Sequence, residues 1–190
     1  MALPKSQDKR KAILDAAATA IAEIGTDAPT KRIAKLAGIA EGTLFTYFPS
    51  KDILLNSLYL DIKNEMADSI MSGYPFDGDD SGKIEHFWYG YVLWGSENVV
   101  KCTAMKKLVL CERVTAESRA EGLVRFSEIN TLLGKISGEK SSCGVEQPFV
   151  SAMLASLADT TIGFMTGNPE KKGKYATIGY KAFTSFLQSI

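Results

Sequence analysis

What this sequence lacks narrows its chemistry first. Its 190 residues contain one histidine, three cysteines and two tryptophans, and basic and acidic side chains cancel at 22 each. The lone His86 has no paired histidine and no HExxH around it, and the chain has no GxSxG, Walker-type or dinucleotide glycine pattern. Zinc, hydrolytic and nucleotide chemistry therefore lose their usual residues, and no catalytic residue, metal ligand or cofactor is expected. Cys102, Cys111 and Cys143 are odd in number and at no ligand spacing, so they read as small buried side chains rather than a disulfide framework. No apolar run approaches the roughly 20 residues of a membrane span. The basic, polar start MALPKSQDKRK carries no apolar stretch, so neither a secretory leader nor a membrane partner is expected, and the cytoplasm is the default location. One motif comes close to a metal site. Asp77, Asp79, Ser81, Gly82 and Glu85 fall at positions 1, 3, 5, 6 and 9 of a calcium loop, but position 12 is Trp88 instead of a bidentate glutamate. The stretch reads as a solvated linker.

What is present is helical. With 45% hydrophobic and 23% charged residues the composition is that of an ordinary globular protein. Ile13, Ala16, Ala17, Ala20, Ile21 and Ile24 keep a 3.6-residue period up to Gly25. Thr30, after Pro29, is placed to cap a short helix with Ile33, Ala34 and Ala37. A third helix spans about 40–48 with Leu44 and Phe48 inward, and Ser50 caps a fourth. Gly73–Gly82 is the clearest linker. Helices follow at about 83–96, 98–114, 117–137, 146–166 and 170–189, with breaks near Gly95, Thr115, 137–144 and 167–169. The expectation is an all-α chain of about nine helices, divided into a three-helix unit at 1–52 and a larger helical domain at 53–190.

Charge is slightly uneven between the two. Residues 1–52 hold eight Lys/Arg (Lys5, Lys9, Arg10, Lys11, Lys31, Arg32, Lys35 and Lys51) against six acids, which permits DNA contact there without establishing it. Two short helices joined by a glycine turn and braced by a preceding helix have helix-turn-helix geometry. Gly38 is expected at that turn because a side chain would obstruct the close approach of the helices, as the small Ala34 and Ala37 also suggest. The second helix would then enter a major groove.

The run ILDAA at 13–17 followed by APTKRIAKLAGIAEGTLFTYFPSK at 28–51 resembles the DNA-binding domain of TetR-family regulators. The likeness covers residues 9–56 densely, and beyond them only length and helical pattern fit. The segment from Gly25 to Ile33 is one residue shorter than the commonest form. The resemblance implies that Thr30 meets a phosphate, that Ala40, Glu41, Gly42 and Thr43 open the recognition helix, and that Phe45, Thr46 and Tyr47 face bases and sugar-phosphate. Gly42 would let the backbone approach and Thr43 would reach a base edge or thymine methyl, while Lys51 would pair with a phosphate. Glu41 is the odd member. Its carboxylate either accepts from cytosine N4 or faces solvent and restrains non-specific affinity.

The second half is expected to dimerise and to sense. Ala152, Ser156, Asp159 and Gly163 on one late helix, beside a stripe of Phe149, Met153, Leu157, Thr160 and Phe164, would meet Tyr175, Ile178, Ala182 and Phe186 of the last in a four-helix interface between copies. Phe183 is expected on the same face. Phe87, Trp88, Tyr91 and Trp94, with Met105, Leu108, Leu123, Phe126 and Ile129, would line an apolar cavity for a hydrophobic or aromatic effector, anchored by Tyr91, Cys102 and Asn130. For any single one of these residues, plain core is at least as good a reading. The whole then reads as a homodimeric repressor released from a palindromic double-stranded operator by a small molecule. The competing class is a helical small-molecule-binding protein, or an enzyme, that does not bind DNA.

Overall fold

The apolar period of the first segment becomes α1 (Gln7–Ile24), in which Ile13, Leu14, Ala17, Ala20 and Ile21 are completely buried. Gly25 ends it at φ 111°, a conformation open to glycine, and its N–H bonds the Ile21 carbonyl at 2.9 Å. The computed structural model describes residues 6–139 and 146–190, with side chains except at 137–139. Lys5, Cys143 and residues 140–144 of the expected break lie outside the described residues.

The order continues through α2 (Thr30–Leu36), α3 (Glu41–Tyr47), α4 (Lys51–Met71), α5 (Asp80–Glu97), α6 (Val99–Val109), α7 (Ala116–Val124), α8 (Ser127–Glu139), α9 (Gln147–Gly167), a 3-10 turn at Pro169–Lys171, and α10 (Lys172–Ser189). The described residues are all-α, with ten α-helices instead of about nine. The expected helix at 117–137 is two, because the halves pack on different partners. Gly122 of α7 lies against Tyr59, whereas Phe126 is buried edge-on to Phe87 and its carbonyl starts α8 by accepting from Asn130 N at 2.9 Å. Gly95 does not end α5, which runs on to Glu97. The acids that mimic a calcium loop serve another purpose: Asp79 caps α5, its carboxylate accepting from Gly82 N at 2.8 Å.

The chain forms two compact units, Met1–Glu65 with Val100–Leu123, and Met66–Val99 with Val124–Ile190. The first unit takes in most of α4 together with α6 and α7. In this first unit Lys11 bonds Asp15 at 2.9 Å, Asp61 at 3.1 Å and also Glu65, which Lys101 of α6 bonds as well. Burial disfavours the Lys11 ammonium, but its bonds to Glu65, Asp15 and Asp61 outweigh that and raise its pKa. Burial likewise opposes the Glu65 carboxylate, and Lys101 and Lys11 nevertheless hold its pKa below the ordinary value. One charge cluster therefore ties α1, α4 and α6. Lys107 adds a bond to the Ala22 carbonyl at 2.8 Å.

The second unit is built around Trp88. Its ring is fully buried and stacked on Phe183 at 5.6 Å, and its Nε1 donates to the Ala176 carbonyl at 2.9 Å. Gly179 allows this packing, because a Cβ there would lie 2.5 Å from Trp88 Cζ2 and would also overlap Thr161 Oγ1. Gly90 similarly lets α5 pass the Ile70 backbone. His86 is half-buried, with Nε2 on the Ile70 carbonyl at 2.8 Å. By length and composition α9 is apolar enough to cross a membrane, contrary to the expectation that no segment comes near: its single charge, Asp159, and scattered Ser and Thr interrupt the apolar run without lowering its average much. Its buried side, Val150, Leu154, Ala158, Thr161, Ile162 and Met165, is that of a packed helix.

Candidate nucleic-acid interface

The outward strip of α3 follows from how α2 and α3 are fixed. Ile33, Ala34, Leu44 and Phe48 are buried, so the opposite sides of these short helices are exposed. Between them Ile39 N donates to the Ala34 carbonyl at 3.0 Å, closing the turn. Gly38 is needed there for a different reason from the expected one. A Cβ at Gly38 would meet nothing within 4 Å, but its φ of 67° lies in the left-handed region that side chains disfavour. The requirement is conformational, not steric.

Ala40, Gly42, Phe45 and Thr46 are exposed, while Glu41, Thr43 and Tyr47 are half-buried. A Cβ at Gly42 would also point into open space, so nothing inside the fold demands glycine at that position. Thr30 is the first residue of α2, and Pro29 takes the cap position that the sequence suggested for Thr30. Its hydroxyl donates to Glu41 Oε1 at 2.6 Å. Glu41 therefore neither projects alone into solvent nor lacks a partner: it binds the very hydroxyl expected to meet a phosphate. Tyr47 Oη accepts from Ser6 N at 3.2 Å, which ties the start of α1 to the last residue of α3. The Arg10 guanidinium lies 5.3 Å from the Phe48 ring centroid.

α4 begins as the sequence suggested, with Ser50 Oγ accepting from Ile53 N at 3.2 Å. Lys51 is half-buried, and burial followed by the Arg113 guanidinium lowers its pKa, while Asp27 and Asp52 pull the other way. Sequence reasoning missed Arg113. It bonds Asp52 at 2.6 Å from the α6–α7 loop, and no spacing or period links that loop to the start of α4.

The expected effector residues divide between the compact units. Cys102, Met105 and Leu108 belong to the first, and Phe87, Trp88, Tyr91, Trp94, Phe126 and Asn130 to the second. Phe87 brings Tyr91 and Phe126 together, with ring centroids 5.9 and 6.5 Å from its own. Trp88 is fully buried, with Phe183 stacked on its ring and Ala176 accepting from its N–H, so the free protein leaves none of it exposed. Leu123 is about half exposed, on the surface instead of in a lining. Within the second unit a cleft of about 240 Å³ opens beside Ile84, Ile136 and Leu187, with Asp80 and Lys135 at its rim, and none of the expected effector residues lines it.

The α9–α10 surface exposes Ala152, Ser156, Gly163, Ile178 and Ala182, with Asp159, Tyr175 and Phe186 partly covered. Phe183 is the exception, turned inward onto Trp88. Leu157, Phe164, Tyr175, Ile178 and Ala182 line an apolar cleft of about 320 Å³ on this surface.

Residues 13–58 match the family model for bacterial regulatory proteins of the tetR family. Over 76 residues the chain is 36% identical to the uncharacterized HTH-type transcriptional regulator YhgD of Bacillus subtilis (strain 168), a match that takes in 37% of this chain and 40% of that protein. Solved structures resemble it along nearly its whole length. A TetR family transcription regulator from Marinobacter aquaeolei VT8 superposes with a TM-score of 0.77 at 18% identity, covering 92% of this chain and 94% of that one. FadR from Bacillus subtilis, in complex with stearoyl-CoA, superposes at 0.68 with 18% identity, covering 95% and 99%. Those likenesses establish the fold, whereas the sequence match falls on the helix-turn-helix itself. By those residues the N-terminal part of the chain is similar to bacterial regulatory proteins of the tetR family.

Proposed function

We propose that this chain is a cytoplasmic transcriptional regulator that represses by seating a homodimer on a palindromic operator, and that a small hydrophobic or aromatic effector releases it. The observation that carries the reading is the α3 strip. Ala40, Gly42, Phe45 and Thr46 are exposed in a row, and the open space at Gly42 leaves room for close approach from outside the protein. Thr43 and Thr46 are short enough to reach base edges or a thymine methyl, and Thr30, Tyr47 and Lys51 flank them for the backbone.

A protein of zero net charge gains little from general attraction to DNA, so pairing two recognition helices supplies what one lacks. The exposed apolar α9–α10 surface suits that pairing, and a second copy would cover it. Two-fold symmetry of the protein then calls for two-fold symmetry in the site. Repression follows if the dimer obstructs polymerase at a promoter. For release, the effector need only favour a conformation whose recognition helices no longer match adjacent half-sites. FadR, which has the same fold, holds stearoyl-CoA, so this architecture can admit a hydrophobic ligand.

The test is selection of fragments from the source genome, followed by titration over a salt series. A regulator binds one selected fragment at least about a thousandfold more tightly than mixed-sequence DNA. Equal, weak binding to both identifies the competing reading, a helical small-molecule-binding protein. Candidate effectors are then added to the complex, and release must track effector binding.

A further inference from the structure

The start of α4 carries two cations on separate parts of the chain. The Lys51 ammonium makes no hydrogen bond or ion pair among the described residues, although the residue is half-buried. Arg113 bonds Asp52 through Nε at 2.6 Å, and its two terminal nitrogens make no further bond among the described residues. Its position is built, not incidental. The Arg119 guanidinium donates to the carbonyls of Val109 at 2.7 Å, Cys111 at 2.9 Å and Val114 at 3.2 Å, fixing the α6–α7 loop. The Asn56 side chain then clips that loop to α4, donating to the Arg113 carbonyl at 2.8 Å and accepting from Thr115 N at 2.9 Å.

Within the free protein this arrangement works against itself. Asp52 answers one of the two positive charges and Asp27 adds some compensation, yet Arg113 remains the strongest charge acting on Lys51. An anion touching both would relieve that opposition. A phosphate suits the pair, because a guanidinium offers a fixed fork of N–H donors and an ammonium a point charge. Lys51 also follows the exposed α3 strip by only a few residues.

We propose that Lys51 and Arg113 jointly bind one backbone phosphate beside the bases read by α3, which makes the α6–α7 loop part of the DNA interface. The inference rests on the DNA-binding reading above. It adds a contact from outside the helix-turn-helix, so any shift of that loop would alter the grip on DNA directly.

The test uses the full chain and the selected operator fragment, with a mixed-sequence duplex beside it, in fluorescence anisotropy over a salt series. Arg113→Gln and Lys51→Gln each weaken binding to both duplexes by about tenfold. Because the two share one phosphate, the double variant lowers the slope of log K against log salt by about 0.9, not by twice that. Asp52→Asn separates a phosphate contact from a purely structural ion pair. It frees Arg113 and tightens binding if the cation meets DNA, and it weakens binding in step with Arg113→Gln if the pair only holds the loop. That parallel loss overturns the inference. So does an Arg113→Gln protein, folded by circular dichroism, that binds with wild-type affinity and salt slope while Lys51→Gln is impaired. A wild-type chain that binds no DNA overturns the regulator reading itself, a result distinguishable from either.

Discussion

Two surfaces of this protein carry exposed side chains that its own folding does not use, and their chemistry is opposite. The α3 strip is narrow and mixed, with Ala40, Gly42, Phe45 and Thr46 outward over a buried Leu44. The α9–α10 surface is broad and apolar, with Phe149, Phe164 and Ile178 each more than half exposed. Short polar groups with room for backbone approach suit a hydrated, charged groove. Large apolar groups in one patch suit another protein surface, where water is expelled. The contrast teaches that exposure alone does not identify a partner, whereas the kind of residue exposed sorts the partners into classes.

The sharpest way to break this contrast is to make the apolar surface polar. Phe164→Arg with Ile178→Arg places two charges where a second copy is proposed to sit. Sedimentation velocity is expected to show monomer, and operator affinity to fall about 100-fold as paired half-site binding is lost. Helical content should not change, since both side chains already face out. A variant that remains dimeric would locate the interface elsewhere.

Glycine gives a second way, because it is used for opposite reasons in the two places. Gly179→Ala forces a methyl group against Thr161 and Trp88 in a packed interior, at a cost of about 2 kcal/mol in urea unfolding. Gly42→Ala meets nothing within 4 Å and leaves stability unchanged within about 0.5 kcal/mol. Its effect should fall on DNA instead, with operator affinity reduced about tenfold by the methyl at the groove. Equal stability losses in the two variants would erase the distinction.

The interior of the first unit supplies the third. Glu65 has a depressed pKa, so its contribution is fully present above its ordinary value of 4.5 and is lost as pH falls through the lower folded value. The raised pKa of Lys11 gives the converse: its contribution is complete below 10.5 and is lost only as pH rises beyond that. Between those limits Glu65→Gln should cost about 1 kcal/mol, a figure reduced for the partial exposure of the cluster. The same variant should lose less stability than wild type in acid. Urea midpoints measured across the acid range decide it, and curves that stay parallel would remove Glu65 from the acid response.

Legibility in the sequence follows the range of the interaction. Short-range signals were readable: the period of α1, the Ser50 cap, the turn at Gly38 and the order of residues on α3 all lie within a few positions of one another. Even there the reason for a residue is less legible than its place, since Gly38 is set by φ, and Pro29 takes the cap position that Thr30 suggests. Long-range packing was hidden. The sequence suggests Trp88 as a cavity aromatic because nothing near it announces Phe183, Ala176 and Gly179, which pack on its ring, take its N–H and lie against its edge. The split of α7 from α8 was hidden for the same reason, and so was Arg113, whose partners Asp52 and Asn56 belong to another helix.

The smallest expected effect is the most discriminating, and it concerns Glu41. Its carboxylate accepts the Thr30 hydroxyl at 2.6 Å, at one edge of a surface that would face phosphates. Glu41→Gln keeps an oxygen that can accept that bond, so the local fold should hold and the unfolding midpoint should stay put. What changes is one negative charge. If the charge restrains general affinity, its removal should strengthen binding to operator and to mixed-sequence DNA alike, by about threefold at low salt and less as salt screens it. If Glu41 instead reads a cytosine amino group, the amide presents a donor as well as an acceptor, and only operator binding should suffer, through a loss of preference at one base pair. The ratio of the two affinities separates these outcomes. The Thr30 bond favours the first, because a carboxylate already holding a hydroxyl must exchange that partner before it can accept a base.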